Sequence, residues 1–382
     1  MIEGKELFYE IGPIRPPSEA YSLLVRFTRN CPWNKCTFCN LYKKTRFQKR
    51  TIDEIKQDID TIKSIHDHIK EMSGGNGCTT RSLAEEICMN PSFNECYKSV
   101  AVWMYFGGKN VFIQDAHSLA MNPEAFLECL TYLKETFPGI ERITCYARAR
   151  TIAERLSVED LIKMRSDGLT RLHVGFESGS DRVLAFMKKG VTKAQQIECG
   201  QKVKASGIEL SEYIVLGLGG KTWSEEHAKE SADAINRIDP DYIRMRTLTI
   251  NRRMPLYEKI QSGDFPVPDP EDLLHEERLF IENLNNISST VKSDHMLNLL
   301  EEVDGRLPGD KEKILSVIDR YFELSDEERL VFQFGRRSGT FRSTDDLRDI
   351  AVFDRIKKRM KEMNSRTPGK VEKILSILHE DT

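Results

Sequence analysis

Three cysteines, Cys31, Cys36 and Cys39, lie within nine residues near the start of the chain. Thiolates are soft ligands, and this ligand type selects for iron–sulfur clusters or zinc. Zinc is disfavoured because structural zinc sites take four protein ligands, and the nearest histidines, His66 and His68, are poorly placed to complete the set. In a four-iron cluster, three thiolates would leave one iron open to a further molecule. The spacing therefore predicts an iron–sulfur centre that does chemistry.

Two other interpretations of these cysteines stay open on the residues alone. They could be ordinary buried thiols, or they could hold iron–sulfur or zinc in a non-catalytic protein such as a cluster carrier or scaffold. Three further cysteines, Cys78, Cys88 and Cys96, lie in a segment of irregular pattern between about residues 73 and 99. Their gaps of nine and seven residues match no compact ligand loop, so buried or incidental thiols are favoured over a second metal site.

The composition describes a soluble globular protein. Of the 382 residues, 39% are hydrophobic and 31% are charged, and the net charge is −3. This charge gives no support for a nucleic-acid-binding surface, so nucleic acid is not expected as a partner. No apolar run approaches the roughly 18 residues that span a membrane, and residues 1–6 lack the apolar core of a signal peptide. We therefore expect a cytoplasmic protein without membrane association, whose nine cysteines are reduced.

The elements that must position the cysteine loop alternate regularly. An apolar run at 23–27 predicts a strand directly before Cys31, and Thr51 begins a capping-box helix after the loop. Further strands, with helices between them, are predicted at 111–113, 142–146, 171–176, 209–216 and 242–248. Six strands that alternate with helices imply a parallel sheet in an α/β fold, and six units suit a partial barrel. Sites in such barrels lie at the C-terminal ends of the strands.

The chain divides into a core and an extension. We assign residues 1–285 to the barrel core, with the insertion at about 73–99, and residues 286–382 to a C-terminal helical extension. The charged helices of the tail could bind a partner or cap the substrate side. At the start of the extension, Ser293, Asp294 and His295 are expected to reach over the open barrel, although a lone histidine such as His295 is more often structural.

Alternation within the strands predicts which polar side chains point into the barrel. In the strand at 171–176, Leu172 and Val174 share the face expected to meet the helices, so His173 and Glu177 should point inward. The other strands place arginines on the inward face, namely Arg26, Arg148, Arg150, Arg244 and Arg246. An inward arginine is costly unless it is paired. Its partners would be carboxylates such as Asp115 or Glu177, or an anionic ligand, and internal ion pairing is the alternative, above all for Arg171.

The chain resembles radical S-adenosylmethionine (SAM) enzymes over about residues 20 to 310. Within that superfamily it resembles the branch with an Elongator-protein/MiaB/NifB-like core, the coproporphyrinogen-oxidase-like Fe–S oxidoreductases. Besides the cysteine loop, the resemblance is carried by residues 111–115, 146–150, 174–181, 217–220 and 244–248. The sequence departs from the family pattern twice. The first cysteine gap is one residue longer than the usual three, and Gln114-Asp115-Ala116 replaces the usual Gly-Gly-Glu.

The resemblance implies a partial TIM-like (β/α)6 barrel and two cofactors, a [4Fe–4S] cluster and SAM. Cys31, Cys36 and Cys39 would hold three irons, and the fourth iron would bind the amino and carboxylate groups of SAM. Reductive cleavage of SAM would give a 5′-deoxyadenosyl radical that abstracts hydrogen from a substrate which the sequence does not identify. Such an enzyme also requires an electron donor such as flavodoxin or ferredoxin.

The resemblance further implies which residues contact SAM. Aromatic and glycine positions are expected against the adenine, because glycine lets the backbone approach closely. Polar strand ends are expected at the ribose, the amino group or the methionine end. Arginines are expected at the SAM carboxylate or at an anionic substrate. The adenine set is Phe38, Gly217, Gly219 and Gly220, the polar set is Glu177, Gln114 and Asp115, and the arginine set is Arg148, Arg244 and Arg246.

Overall fold

The computed structural model describes residues 7–74, 79–376 and 378–379 of the chain. Cys78 and residues 1–6, on which part of the sequence interpretation rests, lie outside the described residues. In chain order, the strands are β1 (Leu23–Arg26), β2 (Thr28–Arg29), β3 (Gln48–Lys49), β4 (Asn110–Gln114), β5 (Arg142–Ala147), β6 (Leu169–Glu177), β7 (Glu209–Leu216), β8 (Tyr242–Thr247), β9 (Ile250–Asn251), β10 (Thr290–Lys292), β11 (Gly305–Arg306) and β12 (Leu378–His379).

The helices lie between these strands and beyond them. They are α1 (Ile52–Met72), α2 (Arg81–Met89), α3 (Glu95–Tyr105), α4 (Pro123–Thr136), α5 (Ala149–Arg155), α6 (Val158–Ser166), α7 (Asp181–Phe186), α8 (Lys193–Ala205), α9 (Ser224–Ile238), α10 (Leu256–Gln261), α11 (Pro270–Glu282), α12 (Lys311–Glu323), α13 (Asp326–Arg337), α14 (Ile350–Arg366) and α15 (Lys370–Leu375). Within the part of the chain that the structure describes, every helix is too short or too polar to cross a lipid bilayer.

The first compact unit contains the described residues up to Trp33, Lys44–Val174 and Gln201–Leu210. Its main strands are parallel, and β1 pairs with β4, β4 with β5, and β5 with β6, whereas the short β2 and β3 pair antiparallel. Helix α1 begins at the capping box predicted at Thr51, where Glu54 returns the hydrogen bond to the cap. The face of α1 that packs into this unit carries fully buried isoleucines at positions 55, 59, 62, 65 and 69.

The second compact unit contains Asn34–Lys43, Gly175–Gly200 and the described residues from Ser211 onward. Here β7 and β8 are parallel, β10 is parallel to β8, and β11 is antiparallel to β10. Strands β10 and β11 follow residue 285, so the predicted extension begins with two short strands and becomes helical from α12 onward. The boundary at residue 285 stays a prediction.

The predicted α/β class, with parallel strands and a helical C-terminal region, is confirmed. Each of the six predicted strands is present, and its bounds move by at most two residues at either end. One prediction about the third of these strands is wrong. The strand ends at Ala147, and Arg150 lies in α5, where it is exposed and forms an ion pair with Glu154. Arg150 therefore does not share an inward face with Tyr146.

Candidate active site

The cysteine loop begins in the first unit with Cys31 and continues in the second with Cys36 and Cys39. Cys36 is buried, whereas Cys31 and Cys39 are partly exposed. The loop is tightly wound, since Asn30 and Asn34 both adopt positive φ angles, 68° and 47°. Asparagine tolerates this left-handed region better than most residues.

Within the second unit, the part of the loop around Cys36 is fixed by hydrogen bonds. The Lys43 ammonium donates to the carbonyls of Asn34 (3.0 Å) and Cys36 (2.7 Å). The Thr37 N–H donates to the carbonyl of Met187 (2.9 Å), at the end of α7, and the Thr37 carbonyl accepts from the N–H of Leu256 (2.9 Å). Phe38 follows Thr37 and is partly exposed, so its ring remains accessible from the loop.

The donor set on this loop fits an iron–sulfur cluster in its chemistry, because it consists of three thiols within nine residues. Among the described residues, no group of three or more histidine, cysteine, aspartate or glutamate side chains lies close enough together to hold a metal ion. The assignment of Cys31, Cys36 and Cys39 as ligands therefore rests on residue type and spacing, and it stays a prediction.

Cys96 lies in the insertion at about residues 73–99, and the structure supports a structural role for its thiol. Cys96 is fully buried in α3. Its thiol accepts from the N–H of Tyr9 (3.4 Å) and donates to the carbonyl of Tyr9 (3.3 Å). Cys88 is partly exposed in α2. The interpretation as buried or incidental thiols thus fits these two residues.

At the end of β4 in the first unit, the predicted SAM contacts are engaged by the protein itself. Gln114 is 1% exposed, and its amide accepts from the N–H of Gly12 (2.7 Å) and donates to the carbonyls of Gly12 (2.9 Å) and Ile14 (3.3 Å). Asp115 is completely buried at a positive φ of 77° and forms an ion pair with Arg26. The structure therefore uses Gln114 to hold residues 12–14.

The other polar residues predicted to point inward in the first unit also have protein partners. Arg171 forms a two-pronged ion pair with Glu209, with both hydrogen bonds at 2.8 Å. His173 is completely buried, and its Nε2 atom lies 3.4 Å from Oε1 of Glu19. These contacts favour the alternative of internal ion pairing for Arg171.

Arg148 lies directly after β5, at the start of α5. Its guanidinium is 5.4 Å from the centre of the Trp33 ring, a cation–π distance. Its backbone N–H donates to Nδ1 of the buried His117 (3.2 Å). Burial, together with the charges of Arg148 and Arg155, lowers the pKa of His117 to about 3.

In the second unit, the end of β6 presents a charged pair. Glu177 has a positive φ of 67°, and its carboxylate accepts from the Lys189 ammonium at 2.7 Å. The two side chains are 15% and 9% exposed, so the pair is largely shielded from water. A Cβ at Gly175 would lie 2.6 Å from Glu177 Oε1 and 3.0 Å from Lys189 Nζ, so any larger residue there would require the two side chains of this pair to shift.

Sequence reasoning predicted Glu177 but missed Lys189. The signal that could have found it is a basic residue in the tight turn between α7 and α8, where Lys188 and Gly190 both have positive φ angles, 51° and 72°.

The glycine turn after β7 is as tight as predicted. Gly217 and Gly220 have φ angles of 84° and 57°. A Cβ at Gly217 would lie 2.6 Å from the Leu273 side chain, and a Cβ at Gly219 would lie 2.8 Å from the Trp223 carbonyl. The glycines are thus required by the turn and by the close approach of α11, whatever ligand the turn meets.

The arginines of β8 share one carboxylate. Asp294 accepts from Arg244 (2.5 Å) and from Arg246 (2.7 Å). Burial would raise the pKa of Asp294, but the two guanidinium groups hold it below its ordinary value. The Arg246 guanidinium lies 4.8 Å from the centre of the Tyr213 ring. Its Nη2 atom is buried without a hydrogen-bond partner among the described residues.

His295 follows Asp294 and is partly buried. Burial and the charge of Arg246 lower the pKa of His295 to about 4, so its imidazole is neutral at physiological pH. Its Nδ1 atom is buried and makes no hydrogen bond to the residues that the structure describes. Two arginines, one carboxylate and a neutral imidazole leave an excess of positive charge at the end of β8.

These features agree with the outcome of comparison with known proteins. The chain belongs to the Radical SAM superfamily, whose profile matches residues 25–233, more than half of its length. The match begins in β1, before the cysteine loop, and continues through the glycine turn into α9. Members of this family are enzymes that use a [4Fe–4S] cluster and SAM, so the predicted enzyme class and cofactors are confirmed. The alternative of a non-catalytic cluster or zinc protein is set aside.

Individual proteins match only part of this chain and at low sequence identity. The chain is 30% identical over 135 residues to a tRNA-2-methylthio-N(6)-dimethylallyladenosine synthase of Finegoldia magna, covering 35% of this chain and 28% of the relative. It is 24% identical over 247 residues to the protein of the same name from Sulfurihydrogenibium sp., covering 63% of this chain and 46% of the relative. The chain thus spans less than half the length of these two relatives.

Among solved structures, coproporphyrinogen III oxidase from Escherichia coli, described as a radical SAM enzyme, is similar to this chain. The TM-score is 0.45 at 16% identity, and the match covers 69% of this chain and 52% of that one.

Proposed function

We propose that this enzyme binds a [4Fe–4S] cluster through Cys31, Cys36 and Cys39 and cleaves SAM reductively to start hydrogen abstraction from a substrate. The observation that carries the proposal is the trio of thiols in a loop directly after β1, within the region that matches the family. When bound, the cluster supplies the single electron that breaks the sulfonium bond of SAM. The electron itself would come from a donor such as flavodoxin or ferredoxin.

The second unit supplies the residues best suited to hold SAM. The pair of Glu177 and Lys189 offers an acceptor and a donor, which complement the amino and carboxylate groups of the amino-acid end. The buried glycine turn at 217–220 stays the candidate for the adenine, because it brings backbone close without side chains, and the partly exposed Phe38 offers a ring face. The pair is shielded from water, which strengthens its electrostatic interactions with a bound zwitterion.

Residues of the first unit have a weaker claim on SAM. Gln114 and Asp115 stay candidates for the methionine end, but their present partners would have to be exchanged for ligand contacts. Arg148 stays a candidate for a carboxylate, with its guanidinium held over Trp33.

We infer that the substrate carries an anionic group, which Arg246 would bind. Its buried Nη2 atom makes no hydrogen bond to the residues that the structure describes. A hydrogen bond from a buried donor is strongest when the acceptor is charged. The names of the curated relatives make tRNA a substrate worth testing, since its phosphates are anionic. The net charge of −3 argues against a nucleic acid. A cytoplasmic location is part of the proposal, as is the division at residue 285.

The test is SAM cleavage by anaerobically reconstituted protein. The wild type is expected to bind four irons per chain, because one [4Fe–4S] cluster contains four irons. After reduction with dithionite, it should release 5′-deoxyadenosine from SAM. Cys36→Ala removes one ligand and should abolish both the cluster and the product. Cys88→Ala, outside the loop, is the matched control and should leave both unchanged.

Two results would contradict the proposal. One is a reconstituted wild type that holds iron but makes no 5′-deoxyadenosine under any reductant. The other is a Cys36→Ala variant with the iron content and product yield of the wild type. Adding bulk tRNA to the same assay tests whether tRNA is the substrate. An accepted substrate should accelerate the formation of 5′-deoxyadenosine. It should also acquire deuterium from deuterated SAM or lose one of its own hydrogens to 5′-deoxyadenosine.

A further inference from the structure

Two helices of the second unit place buried polar side chains against the ends of β6 and β7. His227 in α9 is 1% exposed, and Glu276 in α11 is 3% exposed. Neither residue carries a ligand contact assigned so far. Both lie beside the backbone of the segments proposed to hold SAM.

His227 joins the two strand ends through its imidazole. Nε2–H donates to the carbonyl of Val215, near the end of β7, at 3.1 Å, because a carbonyl can only accept. Nδ1 lies 2.8 Å from the hydroxyl of Ser178, the residue after Glu177. Since the Ser178 oxygen already accepts from the N–H of Ser180 (3.0 Å), its own hydrogen is available to donate to Nδ1. The Val215 carbonyl therefore requires a proton on Nε2.

Glu276 completes the link at the glycine turn. Its Oε1 accepts from the N–H of Gly217 at 2.6 Å and lies 3.5 Å from His227 Nε2. Its Oε2 accepts from the Ser224 hydroxyl at 2.6 Å. The carboxyl therefore holds the first peptide of the turn and the first residue of α9 together.

A second pair of contacts secures the same segment after β6. The N–H of Gly179 donates to the Ser231 hydroxyl of α9 (2.8 Å). The Gln196 amide donates to the Ser178 carbonyl (2.6 Å). Consequently α8 and α9 fix the residues that follow Glu177.

This network is costly to bury. Burial raises the pKa of the Glu276 carboxyl, which measures the penalty of keeping a charge away from water. Apolar side chains of similar volume often stabilise a core at least as well as a buried polar network does. A role other than global stability therefore explains the network better, and fixing two ligand-bearing strand ends is such a role.

We propose that His227 and Glu276 are positioning residues that hold the end of β6 and the glycine turn of β7 in the geometry that binds SAM. His227 acts through Ser178 on Glu177, and Glu276 acts through the N–H of Gly217 on the turn. The inference rests on the proposed function, because it assumes that these two segments contact SAM.

The test compares two substitutions of Glu276 in the full reconstituted chain. Glu276→Gln keeps an acceptor for the Gly217 N–H and should restore wild-type behaviour within about twofold. Glu276→Leu keeps the volume but leaves that N–H without a partner. Because an unsatisfied buried N–H is costly, the KM for SAM should rise about tenfold or more, which corresponds to about 1.4 kcal/mol or more. The kcat for 5′-deoxyadenosine and the iron content should stay within about twofold.

The neighbouring carboxyl provides a matched control. Glu277 lies next to Glu276 in α11 and is equally buried at 2% exposed, but its Oε1 has no hydrogen-bond partner among the described residues. Glu277→Leu should therefore leave the KM for SAM unchanged. If both leucine variants raise the KM equally, the effect is one of packing and the proposal is overturned.

A milder variant keeps the test decisive if Glu276→Leu does not fold. Ser178→Ala removes only the hydroxyl that joins the β6 end to His227, and the KM for SAM should rise about threefold or more, the size of one modest hydrogen bond. A wild-type KM in Ser178→Ala would overturn the proposal. Failure of the proposed function looks different, since the wild type itself would then form no 5′-deoxyadenosine.

Discussion

Residues at the ends of β4 and β6 were both predicted to contact SAM, because each lies at the C-terminal end of a strand. In the structure, their side chains have partners of different kinds. At the end of β4 in the first unit, the Gln114 amide and the Asp115 carboxylate serve the protein, binding residues 12–14 and Arg26. At the end of β6 in the second unit, Glu177 and Lys189 form a compact, shielded pair beside a glycine that leaves room around them. Position at a strand end therefore identifies a candidate, and the partners decide between architecture and ligand binding.

The largest effect should come from breaking the pair at the end of β4. Asp115→Ala removes one of the two carboxylates that pair with the largely buried Arg26 and leaves only Glu10, and breaking a buried ion pair costs up to about 3–5 kcal/mol. The free energy of unfolding in urea, measured without oxygen, should fall by this amount. As a control in the same unit, Glu85→Ala breaks an exposed pair with Arg81 and should leave the free energy of unfolding nearly unchanged. A fully stable Asp115→Ala protein with an impaired KM for SAM would place Asp115 among the ligands after all.

A second effect concerns pH and follows from His117, two residues beyond Asp115. Its folded pKa of about 3 lies below the ordinary value of about 6.5. As pH falls below 6.5, the unfolded chain binds a proton that the native chain does not, so stability is lost by about 1.4 kcal/mol per pH unit. Between pH 6.5 and pH 5 the loss should be about 2 kcal/mol.

The matched variant for this pH effect is His117→Asn, which keeps an acceptor for the Arg148 N–H. Urea unfolding at pH 7 and pH 5 should show a smaller acid loss in the variant than in the wild type. Equal losses in both proteins would mean that His117 is not the group that titrates.

The third effect sharpens the comparison at the end of β6. Glu177→Gln removes the charge of the carboxylate but keeps its shape, and a hydrogen bond to a charged group is worth about 1.5–3 kcal/mol. The KM for SAM should therefore rise about tenfold or more, with a much smaller loss of stability than Asp115→Ala. Glu154→Gln, at an exposed pair in α5, should leave the KM unchanged. The comparison fails if Glu177→Gln lowers stability as much as Asp115→Ala and leaves the KM intact.

Periodicity was sufficient to predict β1, β4 to β8 and several of the helices between them, but not the short strands β2, β3 and β9 to β12. The alternation of apolar residues located β4 to β8 because both the strand repeat and the turn residues between them are local signals. Helix α5 was missed, since its residues 149–155 follow β5 without an intervening turn signal, and an arginine-rich stretch fits a strand end as well as a first helical turn. This error alone placed Arg150 on the wrong face.

The site was harder to predict than the fold, because ion pairs depend on residues far apart in the chain. The Glu177 carboxylate was predictable from its strand, but its partner Lys189 comes from a turn 12 residues later. His227 and Glu276 lie on helices and reach strand ends through three-dimensional packing. For His227 a signal did exist, since it and Ser231 fall on the face of α9 that also carries the buried Ala228, Ala232 and Ile235.

In the proposed site, three protein thiolates would leave one iron of the cluster open, and SAM would bind there. Electron–nuclear double resonance on the reduced cluster with SAM labelled with 15N at its amino group tests this directly. We expect a 15N coupling that appears only with the labelled SAM and is lost in Cys36→Ala. A fully formed cluster in the wild type that binds SAM without any such coupling would contradict it.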